Sequence, residues 1–433
     1  MNIAHPRRKR ADRARTLTAL SATALIVAAF FAATAVRAEA DSVTTAIPVN
    51  ASPVGAAITP DGLHAYVTNQ GSNTVSVIDT ATNTVTATVP VGQEPYGVAI
   101  TPDGTRAYIT NIRGKSVSVL DTTTNIVTAT VTVGQDPVQV AIAPDGLRAY
   151  VTNATSRTAS VIDVATNTVI ATIPVSVDPV GIAITPDGTR AYVARYTNNG
   201  AVSVIDTATN TVTSTISVGS NPYGVAIYDN RAYVTNQNSN TLSVIDTNTN
   251  TVIALVPVGS TPSGVAVSPN GLRAYVTDNA GGSVSVVDTT TNAVTATIPA
   301  GGSPLGIAVT PDNLRVYVTN YIHSGTVSVI SMDQKPSVSG TPPAGIVNQS
   351  YSHTFTVAGQ PTPVVTVTDG DLPTGLTLSK TGVLSGTPTT TGTYPFTITA
   401  TNGVGADSVL TVTFVVDSAL ITPGLPSTGS FGS

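Results

Sequence analysis

The sequence predicts an all-β protein: a seven-bladed β-propeller of four-stranded antiparallel blades, closed by the N-terminal strand and followed by a small Ig-like β-sandwich. Three observations carry that prediction. The segment Ala65-Tyr66-Val67-Thr68-Asn69 returns six more times, with tyrosines at Tyr66, Tyr108, Tyr150, Tyr192, Tyr233, Tyr275 and Tyr317. Five of the spacings are 42 residues and one is 41, and a strand-rich period in the 40s marks one propeller blade per repeat. Charged residues make up only 10% of the chain, while Thr, Val, Ala and Gly are abundant; β-branched residues fit a pleated, half-buried surface.

Residues 1–40 read as a secretory signal peptide. A basic stretch containing Arg7, Arg8, Lys9 and Arg10 precedes the uncharged run Leu17 to Val36, and Ala38-Glu39-Ala40 has small residues at cleavage-site spacing. Seven of the 19 basic residues fall in this leader, so the remainder carries 12 bases against 22 acids. Such an acidic surface repels nucleic acid on average. Cysteine is absent, which excludes disulfides, thiolate metal sites and a cysteine nucleophile. Once the leader is removed, no stable membrane span is expected.

Each repeat from residue 41 to 333 reads as four strands. In the second unit, residues 95–100 are a short apolar strand. Thr101-Pro102-Asp103-Gly104 is a turn in which Pro presets φ, Asp bonds back to the backbone and Gly takes the left-handed position. Residues 106–110, 116–120 and 126–131 follow as strands. The last unit lacks its fourth strand, and Val43 to Val49 aligns with Val85 to Val91. The N-terminal strand is therefore expected to complete the seventh blade, which removes an edge open to aggregation.

The Ala-Tyr-Val-Thr-Asn cores, the Thr-Pro-Asp-Gly turns and the Val-Ile-Asp-Thr-x-Thr-Asn turns resemble the YVTN-repeat, YncE-like β-propeller family over residues 41–333. The resemblance implies a secreted, periplasmic or cell-surface bacterial scaffold with varied activities. Some YncE-like relatives are associated with single-stranded DNA.

Residues repeated in every blade belong to the fold, so function is sought where blades differ. Arg106, Arg148, Arg190, Arg231, Arg273 and Arg315 recur after the first turn, with His64 in the first blade. On the opposite face, blades 2–4 diverge. The residues before the leading Pro there are Glu94, Asp136 and Asp178, and the neighbouring loops hold Arg113, Lys115, Arg157 and Arg195. Blade 4 reads Tyr192-Val193-Ala194-Arg195-Tyr196, and blade 7 adds Tyr321 and His323. Loop-rich propeller faces carry function, so Glu94, Arg113, Lys115, Asp136, Arg157, Asp178, Arg195, Tyr196 and His323 are the candidate binding residues. No catalytic set emerges: no two histidines have metal-ligand spacing, and there is no nucleophile elbow or phosphate loop.

Residues 334–340 read as a linker. Residues 341–417 show short alternating strands. Their Leu-Pro-x-Gly-Leu, Leu-Ser-Gly-Thr-Pro and Gly-Thr-Tyr-x-Phe-Thr segments resemble the He_PIG (cadherin-like) Ig domains of bacterial surface proteins, which implies spacing or adhesion. Asp369 and Asp371, with Asp407 and Asp417 as helpers, are the candidate calcium ligands. Residues 418–433 read as a flexible Ser/Thr/Pro/Gly tail, in which Leu425 to Gly429 fits a sortase motif without the apolar span that follows it in the family signal. The expectation is a monomeric, exported, non-catalytic module that binds protein or cell-wall glycan. The rival readings are a propeller hydrolase of lactonase type and a single-stranded-DNA binder, which would need aromatic stacking plus a basic groove.

Overall fold

The computed structural model describes residues 41–360, 362–402 and 404–418. The expected leader, and the tail beyond Ser418 with its sortase-like motif, lie outside the described residues. Seven four-stranded antiparallel sheets make the propeller. Blade 2, for example, consists of Pro95–Ile100, Arg106–Asn111, Ser116–Asp121 and Ile126–Thr132, from innermost to outermost strand. The seventh sheet joins Pro304–Val309, Arg315–Asn320 and Thr326–Ser331 to the N-terminal strand Ser42–Pro48, in the register Ile47 opposite Val327.

The core lies between blades. Tyr66, Val75, Val77 and Val89 of blade 1 pack on Val98, Ala107, Ile109 and Leu120 of blade 2. At the closure, Ile47 of the N-terminal strand joins Ala65, Val67 and Ile78 of blade 1 and Tyr317, Val327 and Val329 of blade 7. All seven motif tyrosines are buried, and a buried phenol needs a hydrogen-bond partner. Blades 1–4 and 7 find one at the turn of the next. The Tyr66 hydroxyl donates to Thr122 O at 3.2 Å and Asn125 Oδ1 at 3.1 Å, and that of Tyr108 to Asn167 Oδ1 at 2.7 Å. The recurrent arginines reach the same turns: Arg148 Nη1 donates to Thr207 O at 2.6 Å and Arg231 Nη1 to Thr289 O at 2.5 Å. The ring arginines are thus clamps between blades.

Blade 7 has no such turn, because its outer strand comes from the other end of the chain. Asp41 takes the place of the turn. Its buried carboxylate accepts from Arg273 Nη1 at 2.7 Å, Tyr275 OH at 2.8 Å and Asp333 N at 2.8 Å. One side chain thereby satisfies the blade 6 clamp and fixes the start of the closing strand.

The second domain packs Phe355, Phe396, Phe414, Leu384 and Ile398 into one core. Residues Ser408–Asp417 alternate between buried and exposed, as a strand with one core face must. The stretch 334–340, expected as a linker, is instead strand Gln334–Ser339, paired antiparallel with Thr356–Gln360. The strand is short, lies in a two-stranded sheet and contains Pro336; proline is tolerated at a sheet edge, and its presence hides the strand pattern. Only Pro336 and Val338 of this strand are buried.

Candidate functional site

The motif threonine stitches the innermost strands together. Thr68 Oγ1 accepts from Gly55 N at 2.8 Å and donates to Tyr96 O of the next blade at 2.6 Å. Thr110, Thr152, Thr235, Thr277 and Thr319 repeat the donation to Val138, Val180, Ser263, Leu305 and Val54. Blade 4 has Ala194 here, so it offers no hydroxyl to the Tyr223 carbonyl of blade 5.

The seven innermost strands enclose an axial cavity of about 150 Å³. Their backbones approach so closely that a Cβ on Gly181 would lie 2.1 Å from Tyr223 O, and one on Gly306 2.1 Å from Val54 O. Six blades have glycine at this position, whereas blade 3 has Gln139, whose side chain lines the cavity. Tyr96 of blade 2 and Tyr223 of blade 5 also line it, and their hydroxyls are hydrogen bonded to each other across the axis. Burial pushes both phenols up: Tyr96 against the opposing hydrogen bond from Tyr223, and Tyr223 well above its ordinary value with the Tyr96 phenol adding to the shift. Both are neutral at neutral pH. Tyr196 and Tyr321, in the loops of blades 4 and 7, add to both shifts. The Tyr196 ring meets Tyr223 edge-on at 6.1 Å.

Of the nine residues expected from sequence, Tyr196 reaches this cluster. Glu94 and Arg113 form an exposed ion pair at 2.8 Å. Asp136 accepts from the Thr155 hydroxyl. Glu94, Asp136 and Asp178 hold positive φ of 52°, 53° and 42°. Ser52, Asn221, Thr261 and Ser303 hold the same conformation in the other blades, so the turn geometry is common and the side chain is free to vary. Lys115 and Arg157 occupy a second left-handed position, at 48° and 58°. Arg195 is half-buried with its Nε unpartnered. His323 is exposed in the blade 7 loop. None of the nine lines the cavity. Asp369 lies in strand Val364–Gly370 opposite Thr397, and both it and Asp371 are exposed. Among the described residues, no group of three or more His, Asp or Glu is placed to hold a metal, and no helix is long and apolar enough to cross a membrane.

The YNCE-like beta-propeller family model matches residues 17–158. Over those residues the chain is similar to YNCE-like propellers. The He_PIG Ig domain model matches residues 335–417, beginning inside the strand that replaces the expected linker. No curated protein matches the chain. Among solved structures, a chain of Kuenenia stuttgartiensis hydrazine synthase is similar at a TM-score of 0.61 and 24% identity, covering 66% of this chain and 97% of that one. That likeness shows the propeller fold and nothing of its chemistry. A propeller joined to an Ig-like domain is consistent with a binding or scaffold role.

Proposed function

We propose that this protein is an exported, non-catalytic binding protein of the cell envelope or extracellular space, using the loop-bearing propeller face to hold a protein or glycan partner. The observation that carries this reading is the Tyr96–Tyr223 pair in the axial cavity, with the Tyr196 ring edge-on against Tyr223. Neither these tyrosines nor Tyr321 is a motif tyrosine: the hydroxyls of Tyr96 and Tyr223 bond each other, and those of Tyr196 and Tyr321 bond Gln237 and Gln70 of the next blade. A concave site with a few convergent polar groups on a rigid scaffold is the usual form of a binding site. Phenols and amides there bind and orient, and they supply no base of the kind hydrolysis needs. The charged sector from Glu94 to Arg195 forms the outer part of the same face. The leader-like residues 1–40 support export, and the Ig-like domain supports a spacing role.

Co-sedimentation of the protein with a bacterial envelope fraction tests this reading. Tyr321→Ala, and separately the triple change Arg113→Ala, Arg157→Ala, Arg195→Ala, should each reduce the bound fraction. Binding that survives all four substitutions together would reject the propeller face as the contact surface.

A further inference from the structure

The channel mouth has been decorated twice. In blades 4 and 7 the loop after the second strand is one residue longer than elsewhere: Arg195 pairs with Ala201 and Asn320 with Thr326, where Asn69 pairs with Thr74. Each longer loop carries a tyrosine directly after the motif. The Tyr196 hydroxyl donates to Gln237 Oε1 of blade 5 at 3.0 Å, and the Tyr321 hydroxyl to Gln70 Oε1 of blade 1 at 2.9 Å. The two Tyr–Gln pairs are related by a step of three blades, nearly across the ring. Tyr96 and Tyr223, in blades 2 and 5, are related by the same step.

The cavity wall is mostly glycine and aliphatic side chains, with Tyr96, Tyr223 and Gln139 as its polar side chains and no Asp, Glu, Lys or Arg. The loops above add the phenols of Tyr196 and Tyr321 and the amides of Gln70 and Gln237, each able to donate and to accept, with Arg195 beside Tyr196. An ionised ligand would be stripped of water there without a counter-charge. A nucleic-acid strand would lack the basic groove it needs. Gln139 is the most telling member. It places an amide in the channel wall where six other blades need glycine, so packing alone does not account for it.

A cavity of about 150 Å³ is of the size that accepts a single six-membered ring. We infer that the channel mouth binds the terminal ring of an uncharged saccharide, with its hydroxyls on Gln139, Gln70 and Gln237 and its faces against the tyrosines. The rest of the glycan runs out over the loops. This inference rests on the reading of the propeller face as a binding surface and names its ligand class.

The full-chain protein contains 14 tyrosines and no tryptophan, so tyrosine difference absorbance reports on the mouth directly. Chitotriose, maltotriose and cellotriose are titrated separately, with oligothymidylate as the contrasting probe. At least one saccharide should give a saturable signal. Gln139→Gly, which restores the residue of the other blades and so keeps the fold, should weaken it by about tenfold. Tyr321→Ala should act alike, and Lys380→Ala, at an exposed position of the Ig-like domain, should leave it unchanged. The inference is overturned if none of the three saccharides saturates, if Gln139→Gly and Tyr321→Ala leave the affinity unchanged, or if oligothymidylate alone gives the signal. Envelope co-sedimentation that persists while the saccharides fail would retire this inference and leave the broader reading standing. Loss of both would retire the two together.

Discussion

The two faces of the propeller are built from the same seven repeats and use them in opposite ways. On the face carrying the Thr-Pro-Asp-Gly turns, the tyrosine and arginine of one blade bond the turn of the next, as in Tyr108 to Asn167 and Arg148 to Thr207. Those groups are spent on one another. On the other face, the position after the motif holds Gln70, Ile112, Ala154, Tyr196, Gln237, Asn279 and Tyr321, and no two neighbouring blades agree. Repetition marks the scaffold because every blade must solve the same packing problem. Divergence marks where that problem has been solved and the side chain is free for other work.

The turn face has one seam, and breaking it should give the largest effect. Asp41 stands in for a whole turn, and its carboxylate is buried against Arg273 and Tyr275. Asp41→Ala leaves the guanidinium and the phenol without their acceptor and loosens the closing strand. Removing one partner of a buried pair costs about 3–5 kcal/mol; because Arg273 is 35% exposed, we expect about 3 kcal/mol. Thermal unfolding measures it. Deleting residues 41–50 should cost more, since it also exposes the edge of strand Thr326–Ser331 and uncovers the cluster around Ile47. A melting temperature unchanged by either would mean that the ring holds without its latch.

The scaffold was legible in the sequence because it is written seven times. The strand order, the turns and the closure by Ser42–Pro48 all follow from the period and from the one missing strand. The mouth was half legible. Tyr196, Tyr321 and His323 stand out as departures on a loop. Tyr96 and Tyr223 do not, because Val, Ser and Leu occupy the same place in other blades and the position reads as core. Gln139 against six glycines was visible as a departure, yet only the closed ring brings blades 2, 3 and 5 around one axis. The paired strand at Gln334–Ser339 was hidden by a proline and by having only two buried side chains.

A smaller effect, with opposite signs on the two faces, separates them by pH. On the turn face, the Thr59, Thr101 and Thr185 hydroxyls hold Asp61, Asp103 and Asp187 below the usual carboxylate range. A carboxyl depressed in the folded state stabilises above its unfolded value, near about 4. That contribution is lost as pH falls through the folded value, so the melting temperature should drop on acidification below about pH 4. Asp278 does the reverse. It occupies the buried place that asparagine holds in five blades, accepting from Ser283 at 3.0 Å and Ser285 at 2.8 Å. Burial pushes its carboxyl up against the bonds from those hydroxyls and the Gly259 N–H. A raised carboxyl gives its full contribution below the unfolded value and loses it as pH rises through the folded one. Asp278→Asn should therefore raise the melting temperature at neutral pH by about 2–4 °C and leave it unchanged in acid. An equal gain at both pH values would show that ionisation is not the cause.

The smallest effect is the sharpest test of how the two faces divide their labour. Arg113 and Glu94 form an ion pair, yet the arginine side chain is 73% exposed and the glutamate 34%. The backbone of Glu94 is fixed by its own bonds, with its N–H on Asn73 Oδ1 at 2.8 Å and its carbonyl on Ile112 N at 3.0 Å. The turn therefore stands without the charge. Exposed pairs of this kind contribute about 0–1 kcal/mol, and Arg113→Ala, Glu94→Ala and the double variant should unfold within about 0.5 kcal/mol of the wild type and of one another. A measurable coupling would place these charges with the clamps of the scaffold. Its absence, alongside a loss of envelope binding in the arginine variants, would place them with the tyrosines of the mouth, on the face whose side chains the fold does not need.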